Sequence, residues 1–95
     1  MRPTAIIREM LVLSFMKVAA TDKAIKEKLA QDLIRIRNDM RESGVEIVDR
    51  EINQLDVSVQ YRHDSKLEEA RYMRAMLDAE ARARVSLLLE EPSTA

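Results

Sequence analysis

The sequence predicts a predominantly helical α+β domain, ordered α-β-β-α, that pairs with a second copy of itself. Three observations predict it. The 95 residues include one glycine and two prolines, well below average usage, which disfavours a turn-rich β architecture and favours long helices. Apolar residues from Ile7 to Met40 recur at spacings of three, four or seven, which is the helix period. The stretch "LDVSVQYR", Leu55 to Arg62, instead alternates apolar and polar residues, which is the strand period.

The N-terminal helix comes first. Ile7, Leu11, Phe15, Val18, Ile25, Leu29, Leu33, Ile36 and Met40 fall in one sector about 80° wide on a helical wheel at ~100° per residue. Asp22 lies inside that stripe, and Thr21-Asp22 could cap a new helix. The stripe keeps its phase on both sides of Asp22, so one continuous helix is expected. It should end near Ser43-Gly44, where the sole glycine can take the left-handed conformation. About 34 helical residues span roughly 50 Å, whereas a compact chain of this size is about 30 Å across. Either the helix bends at Thr21-Asp22 or a second copy covers the remainder. The first half also has a second apolar face of Ile6, Met10, Leu13, Met16 and Ala20. The second half is one-sided, with Lys28, Asp32, Arg35, Asp39 and Glu42 on its other flank.

The middle segment follows. Leu55, Val57, Val59 and Tyr61 point to one face of a strand whose expected partner is Val45 to Val48, with a loop around Glu51 to Gln54. Val45, Val48, Ile52, Leu55 and Val59 also fit a heptad, and that reading leads to the alternative fold, an all-α helical-hairpin dimer. Valine, isoleucine, Asp, Asn and Ser weaken a helix here and favour the hairpin. An isolated hairpin is marginal in water, so its apolar face must lie on helices and its edges invite another chain.

The C-terminal helix is placed by Ser65 and Glu68, which have capping-box spacing, and should run to about Glu90, before Pro92. One stripe is Leu67, Ala70, Met73, Leu77, Ala81, Val85 and Leu88. A second is Tyr72, Met76, Ala79, Ala83 and Leu87. A helix apolar on two opposed faces is sandwiched, and in so short a chain the second neighbour is expected to be another protomer. The alanines Ala79, Ala81 and Ala83 would let it approach closely. One domain, 1–91, is expected, with 92–95 a disordered tail.

Composition narrows the functional classes. There is no cysteine, so disulfides, thiol nucleophiles and cysteine metal sites are excluded. A net charge of −1 gives no global field towards nucleic acid or an anionic membrane. The uncharged run Met10 to Met16 faintly resembles a secretion signal, but Arg8, Glu9 and Lys17 bracket it tightly. A cytoplasmic chain without membrane association is therefore expected.

His63-Asp64 is the one pair that resembles a base and its orienting carboxylate, but adjacent residues at a corner between elements read as a turn or a helix cap. No Glu-x-x-His occurs, and one glycine cannot build a phosphate loop. No catalytic residue, metal or cofactor is expected. The six methionines read as adaptable core filler. The expected function is that of a small, non-enzymatic, homodimeric adaptor, regulatory or chaperone-like protein that binds itself and a further protein through helices. The expected contacts are Leu13, Met16, Tyr72, Met76 and Leu87. The alternative is a small dimeric nucleic-acid-binding regulator. It rests chiefly on the ability of small α-helical dimers to read DNA without high net charge. The basic clusters Lys23, Lys26 and Lys28, then Arg35, Arg37 and Arg41, with Arg71, Arg74, Arg82 and Arg84 on the last helix, are interleaved with acids and read mostly as a solvated face. There is no aromatic stacking platform.

Overall fold

A computed structural model describes residues 2–90; the tail expected at 92–95 lies outside them. The elements are α1 (Pro3–Ala19), α2 (Lys23–Glu42), β1 (Glu46–Ile52), β2 (Asp56–His63), β3 (Lys66–Met73) and α3 (Arg74–Glu90). The α+β class and the helical majority hold. Two details of the expected order do not.

The first concerns the N-terminal helix, which is two helices. Ala20 and Asp22 are extended, and the Asp22 carboxylate accepts the Ile25 N–H at 3.1 Å. That bond satisfies one of the orphan donors of the first turn of α2. The chain reverses there, and α2 folds back onto α1. Leu29, Leu33, Ile36 and Met40 are then buried within one chain. The stripe kept its phase because both helices present it to one core, and a second copy is not needed to cover it. Val18, counted in that stripe, is 88% exposed next to the reversal.

The end of α2 is as expected. Gly44 adopts φ +71°, its N–H bonds to the Arg41 carbonyl at 3.1 Å, and the Val45 N–H reaches the Met40 carbonyl at 2.8 Å. This is a complete Schellman motif, closed by two buried side chains, Val45 and Met40.

The second departure is the sheet, which has three antiparallel strands in the order β1-β2-β3 rather than two. Residues 66–73, expected as the first turns of the last helix, are β3. It pairs with β2 residue for residue, from Asp56 opposite Met73 to His63 opposite Lys66. Ser65 is not a helix cap. With Asp64 it forms the turn between β2 and β3, at φ 64° and 52°, the left-handed pair of a type I′ hairpin turn. A central strand must satisfy backbone groups along both edges, and β3 does so where a helix would have left one edge of β2 open. β1 is also longer than Val45 to Val48. It bulges at Val48 and continues to Ile52, opposite Val57.

The turn between β1 and β2 is tied to the start of α3. The Arg74 N–H donates to the Leu55 carbonyl at 3.0 Å, and the Arg74 guanidinium donates to the Asn53 carbonyl at 3.1 Å. Val57, Val59 and Tyr61 of β2, with Ala70 of β3, turn one sheet face into a continuous core. At its centre is α1, which packs on both α2 and α3. Ile6, Ile7, Met10, Leu11, Val12, Leu13 and Met16 are all buried, as a helix apolar around most of its circumference requires. The molecule is elongated and thin, 47 × 30 × 19 Å, with a radius of gyration of 14.2 Å, against about 12 Å for a compact chain of this length.

Candidate interaction surface

The expected contact residues divide. Leu13 and Met16 are core side chains, 8% and 3% exposed. They lie between α2 and α3 and, with Leu87, line a small open cleft of about 300 Å³. Tyr72 is on β3, not on the last helix, and its phenol donates to the Thr4 carbonyl at 2.7 Å, fastening the sheet to the start of α1. Burial pushes its pKa up to about 12, with smaller effects from Tyr61 and Arg8. Burial likewise raises the Tyr61 phenol. Met76 and Leu87 remain in solvent, 61% and 62% exposed.

Those two residues belong to one face. On α3 the core side is Leu77, Ala81 and Val85. At ~100° per residue the side directly opposite is Met76, Ala79, Ala83 and Leu87. All four are exposed. The helix is therefore apolar on both sides and covered on one. Of the three alanines expected to admit a partner, Ala79 and Ala83 are outward and Ala81 is fully buried. Near the N-terminal end of this face lies an open cleft of about 800 Å³, lined by Phe15, Val18, Ala19, Ile52 and Ala75, with Arg74, Asp78 and Arg82 among its polar walls. Its neighbours Leu55 and Met73 are 82% and 64% exposed.

The charged residues beside this face are structural, and the sequence did not reveal it. Arg84 grips Glu9 of α1 with both nitrogens, at 2.6 and 3.1 Å, and reaches Glu80 at 3.4 Å. Arg8 closes the set by donating to Glu80 at 2.7 Å. The hydrogen bond from Arg8, with help from Arg84, holds the Glu80 carboxyl below its ordinary pKa against the opposing effect of burial. Glu9 holds the Arg84 guanidinium more firmly protonated. The i,i+4 spacing of Glu80 and Arg84 was visible in the sequence. Their shared attachment to α1 depends on how two distant helices cross.

His63 Nδ1 lies 3.6 Å from Asp64 in the β2–β3 turn, with Asp64 largely in solvent. Among the described residues, no group of three or more His, Asp or Glu side chains could hold a metal ion. No helix among them is long and apolar enough to cross a membrane.

The architecture and surface define a small α+β domain, three helices around a core closed by a three-stranded antiparallel sheet. Residues 9–93 match the family model described as YhjD protein, and the chain belongs to that family. No curated protein and no solved structure matches it.

Proposed function

We propose that this chain is a non-enzymatic adaptor or regulatory module that works as a homodimer, with the outward face of α3 as its self-contact. One observation carries this reading. The exposed face reads large, small, small, large: Met76, Ala79, Ala83, Leu87. Laid antiparallel on a second copy, Ala79 falls opposite the partner's Ala83 and Met76 opposite the partner's Leu87. The pattern is therefore complementary to itself about a two-fold axis, the symmetry of most homodimers. Alanines at the crossing point let the two helix axes come close, within the usual 8–10 Å range for packed helices. The thin, elongated shape of the monomer supports the same reading.

Paired cysteines test the register. The chain has no cysteine of its own, so introduced thiols are unique. Chains carrying Ala79→Cys and Ala83→Cys, mixed and treated with a short bismaleimide, should yield mainly the mixed cross-linked dimer. No cross-linking, or cross-linking in which each variant joins only itself, would contradict the antiparallel contact.

The alternative, a dimeric nucleic-acid-binding regulator, draws on Lys23, Lys26, Arg37 and Arg41, which share one flank of α2. A gel shift on random duplex at low salt tests it. Nonspecific affinities are about 10⁻⁴ to 10⁻⁶ M at physiological salt and tighten as salt falls, so absence of binding at about 10 µM would remove it.

A further inference from the structure

The two flanks of α2 differ in charge balance. On one, Asp32 lies 3.1 Å from Lys28 and 3.9 Å from Arg35. On the other, Lys23, Lys26, Arg37 and Arg41 have no carboxylate within 4.0 Å among the described residues. Arg37 and Arg41 are one turn apart and repel each other. β1 brings a third guanidinium to them. Arg50 is paired with Val59 in the ladder, on the helix-facing side of the sheet, and it too lacks a carboxylate partner.

Arg37, Arg41 and Arg50 line an open cleft of about 670 Å³. Met10, Met40, Val45 and Ile47 supply its apolar surface, and Glu46, held 3.5 Å from Arg62, is its one carboxylate. A single arginine in the last turn of α2 is accounted for by the exposed carbonyls of the helix end. That accounts for Arg41, and not for Arg37 or for Arg50 on a different element.

We propose that this cleft docks an acidic segment of a partner protein, one that carries apolar side chains between its carboxylates. Guanidinium groups pair with carboxylates in bidentate geometry. Met10 and Met40 beneath the cleft are already 6% and 5% exposed, but phosphates alone would leave the half-buried Ile47 wet, and an apolar side chain would cover it. The cleft is open along one side, so it suits a segment lying across it better than an enclosed small molecule. This proposal rests on reading the chain as a binding module, and it names that module's partner by chemistry. It does not depend on α3.

The test uses the full chain and three labelled peptides of equal length. One is a designed amphipathic helix of Glu and Leu, the second has Lys for every Glu, and the third has no leucine. Binding is followed by fluorescence anisotropy at about 50 mM salt, where exposed charges are only partly screened. The Glu/Leu peptide should bind at least about tenfold tighter than either control, and Arg37→Gln with Arg41→Gln should remove about tenfold or more of that affinity. Arg50→Gln should weaken it by about threefold or more. All three arginines are exposed, so the variants should melt as the parent does. Ala79→Glu, placed on α3, should leave peptide binding intact, so failure of the dimer and failure of this cleft read out separately. Equal affinity for the Glu and Lys peptides, no binding of the Glu/Leu peptide, or unchanged affinity in the double variant would overturn the proposal. So would tighter binding, lost in the same variant, to duplex DNA or to phosphatidylserine vesicles, which would reassign the cleft to nucleic acid or membrane.

Discussion

Arg84 of α3 holds Glu9 of α1 through two hydrogen bonds, at 2.6 and 3.1 Å, across 75 positions of sequence. The pair ties the two helices together beside the buried Leu77, Ala81 and Val85, which set the side of α3 that faces inward. Both side chains are about one-third exposed, which places the pair at the stronger end of surface ion pairs. A double-mutant cycle with Glu9→Gln and Arg84→Gln, read by denaturant unfolding, should give a coupling of about 1 kcal/mol. A coupling near zero would show that the contact is incidental.

Glu80 adds a pH dependence. Arg8 and Arg84 favour its charged form, so its folded pKa lies below the ordinary 4.5. The unfolded chain then binds the proton more readily. The stabilisation is present above the ordinary value and is lost as pH falls through the folded one. Unfolding free energy should therefore fall more steeply below pH 4.5 in the parent than in Glu80→Gln. Parallel curves would contradict this.

Tyr72 acts at the other end of the scale. Its phenol is pushed up from 10.0 to about 12, so the folded state holds the proton more tightly. The contribution is full below pH 10 and is lost as pH rises towards about 12. Tyr72→Phe should cost about 1 kcal/mol at neutral pH through the lost bond to Thr4. It should also lose less stability than the parent between pH 10 and 12, a comparison checked by denaturation across that range.

The two turns that sequence reading misjudged make opposite predictions. Asp22→Ala removes the side-chain cap of α2 and should cost about 1 kcal/mol. A change near zero would mean that the reversal at Thr21-Asp22 is held by packing alone. Ser65 sits at φ 64°, where glycine carries no steric penalty, so Ser65→Gly should raise the unfolding free energy by about 0.5–1 kcal/mol. A loss would contradict the type I′ turn.

These misjudgements have physical causes. Two-faced helices, the glycine stop at Gly44 and the strand at Asp56–His63 were legible because each rests on local periodicity or local backbone preference. The break at Asp22 was hidden because an αα-hairpin turns both stripes to one core, so phase does not register the reversal. β3 was hidden because "KLEEARYM" carries polar residues on both faces, and Ser65-x-x-Glu68 imitates a helix start. Its strand state is imposed by the open edge of β2. Leu13 and Met16 read in the sequence as a face awaiting a second copy, whereas each is more than nine-tenths covered within the chain. Their apolar face was seen correctly, but the neighbour covering it is α2 and α3 of the same chain. Met76 and Leu87 were assigned to an outward face that the last helix does present, and Tyr72 was lost from it with the strand.

The central claim is that this outward face joins two copies. Sedimentation equilibrium of the full chain at micromolar concentration, beside the variant Ala79→Glu with Ala83→Glu, tests it most directly, because the substitutions bury charge only in a dimer. Twice the chain mass for the parent and the single chain mass for the folded variant is the predicted result. A parent that sediments at its single chain mass, or a variant that still dimerises, would contradict it.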